Sequence, residues 1–139
     1  MAGYISGVQA RVREEIPQAE FYHCAAHRLN LVINATSSIT EIRNTTTAIK
    51  STIKFFREST LRRKLIPNLP IFCETRWSHK YKSIRLFSEN YEALVDALVD
   101  LERSSLSSTR TLAHQHLCTT ATPTFLLAMV ITAHYAGST

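Results

Sequence analysis

At 139 residues, 45% apolar and 19% charged, the chain can bury one core and is too apolar for a disordered tail. Three glycines and four prolines argue against a turn-rich β protein, and no apolar run reaches the ~18 residues of a membrane span, the longest being Phe125 to Ile131. The net charge of +5 favours an anionic partner, while three cysteines at unrelated spacings exclude a disulfide framework and suit a reducing interior.

Met1-Ala2-Gly3-Tyr4 opens no signal peptide, since no basic region precedes an apolar one. Ile5, Val8, Val12 and Ile16 recur at helical spacing, and Pro17 stops that helix. Ala19 to His23 reads as a short strand. Ala25 to Ser38 reads as an amphipathic helix with Leu29, Val32, Ile33 and Thr36 on one face. Ser38 or Thr40 then caps a helix whose apolar stripe is Ile42, Thr46, Ile49, Ile53 and Phe56. Leu65 to Pro70, with two prolines, is a loop, and Ile71 to Thr75 is short and extended. Ser78 to Arg103 is the longest predicted helix, with Tyr81, Ile84, Phe87, Tyr91, Leu94, Leu98 and Leu101 on its buried side. A linker at Ser104 to Ser108 leads to a short helix through Leu117. Pro123 to Tyr135 forms the last helix, which Thr122 can cap. It is apolar nearly all round and therefore calls for partners on several sides.

Ten Lys and Arg lie between Lys50 and Arg85, opposed only by Glu58 and Glu74. A segment this basic is either a solvated helical face or a surface for a polyphosphate, and the single tryptophan inside it adds a stacking platform. Arg76-Trp77 accordingly has two readings: a core anchor with its indole N–H on a carbonyl, or a base platform beside a phosphate contact. Cys24 and His27, three apart, supply two zinc ligands of the four a closed site needs. Cys73, Cys118, His114, His116 and His134 could complete them only if the fold brings them in. A buried thiol packing beside a hydrogen-bonded histidine accounts for the pair more simply, and no oxyanion donor supports a nucleophile. Asp96 and Asp100 sit on the polar face of their helix and read as solvated. His114 and His116 flank Gln115 and point different ways.

Gly7-Val8-Gln9-Ala10-Arg11, then His23-Cys24-Ala25-Ala26-His27-Arg28-Leu29-Asn30-Leu31-Val32, then Glu74-Thr75-Arg76-Trp77 resemble the hAT superfamily of cut-and-paste transposases. The nearest branch is the zinc-finger MYM-type-like and protein-kinase-inhibitor-repressor-like proteins derived from them. The resemblance implies a mostly α chain: a fragment of a ribonuclease-H-like α/β core over residues 1–40, followed by a truncated all-helical insertion domain over 41–139. It makes Cys24 and His27 active-site-proximal, Trp77 a stacking residue on a flipped base and Arg76 its phosphate-contacting neighbour. With Arg62, Arg63, Lys64 and Lys80 from the basic run, these form the expected DNA-binding set.

The family's two catalytic aspartates and its glutamate fall outside these residues, so no catalytic or metal-binding residue is expected within them. Magnesium, the metal of two-metal strand transfer, is expected only for a full-length transposase. The expected object is a catalytically inactive, transposase-derived nuclear fragment with residual DNA binding and no membrane association. Two alternatives stand beside it: a protein-interaction module that docks or self-associates through apolar helices, and an excerpt of an active transposase.

Overall fold

The computed structural model describes residues 7–20, 38–74 and 76–137. The chain is mostly helical, and among the described residues there is no strand. Its two compact units are Met1–Ile33 and Asn34–Thr139.

In the first unit α1 spans Val8–Glu15. Gly7 holds an extended cap conformation, and its carbonyl accepts from the N–H groups of Ala10 and Arg11. The last turn closes through Ile16 N–H to the Val12 carbonyl at 2.8 Å, and Pro17 then bars continuation. Val8, Val12 and Ile16, the apolar spacing that predicts this helix, are exposed. Ala19 and Glu20 are coil rather than strand. The rest of the predicted strand, the Ala25 to Ser38 helix short of its final residue, and Cys24 and His27 lie outside the described residues.

The described residues of the second unit form six helices: α2 (Thr40–Arg57), α3 (Thr60–Leu65), α4 (Trp77–Glu89), α5 (Tyr91–Leu101), α6 (Ser107–Thr120) and α7 (Pro123–Gly137). The N-cap position of α2 is held by Ile39, which makes no side-chain cap bond, and not by Ser38 or Thr40 as expected. Acid in its first turn, Glu41, and base in its last, Lys54 and Arg57, suit the helix dipole instead. The predicted stripe is buried at Ile49, Ile53 and Phe56, and the burial extends to Thr45, Ala48, Thr52 and Phe55. One face was expected; two are covered, because α3, α6 and α7 all pack on α2.

The predicted long helix is broken. Asn90 takes φ −102° and ψ 13°, and both its backbone N–H (3.1 Å) and its side-chain amide (2.8 Å) donate to the Leu86 carbonyl. This local bonding is what asparagine offers in place of helix continuation. The break lets α4 pack on α7 while α5 packs on α6. The apolar stripe runs through it, with Ile84, Phe87, Leu94 and Leu98 fully buried. At the other junction Thr122 caps α7 as expected, its hydroxyl accepting from Phe125 N–H at 3.2 Å.

The core joins Ile49, Ile53 and Phe56 of α2 to Ile84 and Phe87 of α4, Leu94 and Leu98 of α5, and Phe125 and Met129 of α7. Phe87 meets Phe125 edge-on at 6.2 Å between centroids. Three buried hydroxyls are satisfied within their own helices: Ser83 donates to the His79 carbonyl at 2.8 Å, Thr120 to the His116 carbonyl at 2.7 Å and Thr132 to the Ala128 carbonyl at 2.6 Å. Across helices, the Tyr91 hydroxyl donates to the Thr120 carbonyl at 2.9 Å, tying α5 to the end of α6. Among the described residues no single helix is long and apolar enough to cross a membrane.

Candidate nucleic-acid interface

The basic run is not uniform, because some of its cations hold the fold. Arg57, near the end of α2, donates to the Leu69 carbonyl at 2.8 Å and so pins the proline-bounded loop. Arg63 of α3 donates to the Arg57 carbonyl at 2.7 Å, satisfying one of the orphan carbonyls at the C-terminus of α2. Arg62, half-buried, lays its guanidinium carbon 4.0 Å from the Phe55 ring centroid. Its Nε is buried without a hydrogen-bond partner. On the same ring Phe55 meets the His116 imidazole at 4.9 Å, and His116 Nδ1 lies 3.2 Å from the Thr52 hydroxyl. Burial first, and then the Arg62 charge, hold His116 below the ordinary histidine value.

Carboxylates neutralise a second set. Glu74 pairs with Lys50, Glu58 with Lys54 one turn away, and Glu89 with Arg85. The Lys50 hydrogen bond and charge, with Lys80 nearby, keep Glu74 below the usual carboxylate range. That leaves Arg63, Lys64, Arg76 and Lys82 exposed, with no ion pair among the described residues. Arg76 stands at the N-cap of α4, its carbonyl accepting from the N–H groups of His79 and Lys80 at 3.0 Å each. Trp77 is the first residue of that helix.

The DNA-binding set expected from the sequence thus falls on two neighbouring places in the chain's second unit. Arg62, Arg63 and Lys64 lie on α3, and Arg76, Trp77 and Lys80 at the start of α4. Both elements pack on α2. Lys82 belongs with the free cations although the sequence did not single it out; its exposure, not its spacing, distinguishes it. Asp96 and Asp100 are exposed on the outer face of α5, as solvated residues should be. His114 is exposed while His116 turns into the α2–α6 contact, so the two do point different ways.

Among the described residues no group of three His, Cys, Asp or Glu side chains converges on a point where a metal ion could sit. Comparison with known proteins adds no relative: no family model, no curated protein and no solved structure matches the chain.

Proposed function

We propose that this chain is a DNA-contacting fragment of a transposase-derived nuclear protein, with an edge of a ribonuclease-H-like core at residues 1–40 and insertion-domain helices after it. Arg62, Arg63, Lys64, Arg76 and Lys80 follow the phosphate backbone, and Trp77 offers its face to an unstacked base. Cys24 and His27 belong to the scaffold beside an active site whose carboxylates and magnesium a full-length transposase would supply. The fragment itself cuts no strand.

The observation that carries this reading is the distribution of carboxylates. Each acid near the basic run engages a lysine or arginine of α2 or α4, while Arg63 and Lys64 of α3 and Arg76 and Lys82 around the start of α4 make no ion pair among the described residues. Free cations beside the chain's only tryptophan are the pairing that single-stranded nucleic acid binding uses.

Trp77 fluorescence reports the test without a label. Short single-stranded DNA should quench it, and log K should fall with log salt by about 0.7 per phosphate contacted. Lys64→Ala and Arg76→Ala should each flatten that slope by about one such step. Salt-independent binding, or a slope untouched in the double variant, would refute the proposal.

A second reading rests on α7. Phe125, Ala128, Met129 and Thr132 are buried against α2 and α4, yet Leu127 is 64% and Tyr135 70% exposed, with Val130 and Ile131 between them. The all-round partners expected for this helix are present on one side only among the described residues. An apolar stripe of this kind suits a protein partner. Light scattering distinguishes the readings: a monomer at all concentrations that pulls down DNA but shows no concentration-dependent association supports the first.

A further inference from the structure

Three side chains outside the basic region form a hydrogen-bonded chain across the α5–α6 junction. Glu102 Oε1 lies 2.6 Å from His114 Nδ1, and His114 Nε2 lies 3.5 Å from Cys118 Sγ. His114 and Cys118 are one turn apart on α6, and Glu102 follows the end of α5. The histidine is 67% exposed and Cys118 is exposed too, so the pair faces outward.

We propose that His114 and Cys118 are half of a zinc site, completed by the same two residues of a second copy of this chain. The first argument is distance. Zinc takes imidazole nitrogen at ~2.0–2.1 Å and thiolate at ~2.3 Å, and the tetrahedral angle then sets nitrogen and sulfur about 3.5 Å apart. The free pair already stands at 3.5 Å. Two ligands at i and i+4 on one helix face are a recurrent metal clip for the same geometric reason.

The second argument is the Glu102 carboxylate. A zinc-bound histidine nearly always gives its other ring N–H to an acceptor, which fixes the tautomer and turns the lone pair to the metal. Glu102 occupies that place: with the proton on Nδ1, the Nε2 lone pair points to where Cys118 waits.

Charge and shape favour a second copy over water as the source of the other two ligands. Arg110, one turn before His114, lines the same shallow cleft as Glu102 and His114. Zinc with one thiolate and two waters would leave a net positive charge in that cleft, since the Glu102 carboxylate does no more than offset Arg110. Two thiolates make the centre neutral, and a two-fold arrangement supplies them with two imidazoles. Thr111 on α6 and Ala121 just past its end are exposed and short, so a second α6 can come close. Binding releases the Cys118 thiol proton to solvent, and no electron moves.

Zinc alone is the probe, added to the reduced chain and followed by analytical ultracentrifugation. The expected result is a dimer holding one zinc per two chains, reversed by chelator. Cobalt in its place should give the tetrahedral absorption and sulfur charge-transfer bands of a two-thiolate site. Cys118→Ser and His114→Gln should abolish the dimer with circular dichroism unchanged, since both positions are exposed. Glu102→Gln should weaken metal binding by ~10–100-fold while leaving the stoichiometry at one per two chains. One zinc per chain without dimerisation, or retention of the metal after Cys118→Ser, would overturn the proposal.

Discussion

Arg62→Met separates two contributions that the native side chain combines. Methionine keeps an unbranched stem over the Phe55 ring and removes the guanidinium. The loss is one cation–π contact at 4.0 Å, worth ~0.5–2 kcal/mol. The gain is relief of the buried, unpartnered Nε, whose desolvation costs about 1–3 kcal/mol. The two nearly cancel, so unfolding free energy should change by no more than ~1 kcal/mol, about 3 °C in Tm for a domain of this size. The same substitution removes the Arg62 charge from His116. Its imidazole should then titrate at higher pH than in the native chain, though still below the ordinary histidine value because burial persists. Urea unfolding and the His116 ring-proton shift against pH, measured on the same samples, read both effects. A loss of 3 kcal/mol or more, the size of a core truncation, would show that the guanidinium itself holds α3 in place. An unmoved His116 titration would show that the two groups do not interact.

Four further outcomes follow from the same geometry. Because His116 has a lower pKa folded than unfolded, the unfolded chain binds the extra proton. Stability is therefore full above about pH 6.5, falls as pH drops through that value towards the folded pKa, and is level below it; a flat urea midpoint from pH 7.5 to 5 in an Arg62→Met, His116→Gln pair would confirm the source. Tyr81 runs the opposite way: burial pushes its phenol up to about 12, so its contribution holds below pH 10 and is lost as pH rises through 12, which absorbance at the phenolate band would follow. Tyr91→Phe removes the bond to the Thr120 carbonyl and should cost about 1 kcal/mol in chemical denaturation, with an unchanged m-value. Thr122→Ala removes the α7 cap and should cost ~1 kcal/mol, whereas Thr122→Ser should restore most of it.

Helical periodicity made most of the second unit legible. Ile49, Ile53 and Phe56, then Ile84, Phe87, Leu94 and Leu98, repeat every three or four residues because a helix repeats every 3.6, and each is buried. The proline-bounded loop and the Thr122 cap rest on single-residue chemistry and could be read directly. Asn90 escaped because the apolar period continues across it; a break that preserves the stripe leaves no mark in a hydrophobic pattern. The six-residue α3 buries nothing and so carries no period at all. Ile39 at a cap position contradicts local preference, and packing of α2 outweighs it.

The candidate sites divide along the same line. Composition and order along the chain were enough to mark a basic segment around one tryptophan, since charge and residue type are properties of the sequence. Which cations are free was decided by the fold: Glu74 reaches Lys50 across 24 positions, and Arg62 is drawn onto Phe55. His114 and Cys118 entered the sequence reading only as possible partners of Cys24 and His27; the α5–α6 turn, which brings Glu102 behind the ring, sets them apart as a pair. A sequence fixes which groups share a helix face, because one turn is a local geometry. Only tertiary packing decides what stands opposite that face, because such contacts depend on segments far apart in the chain.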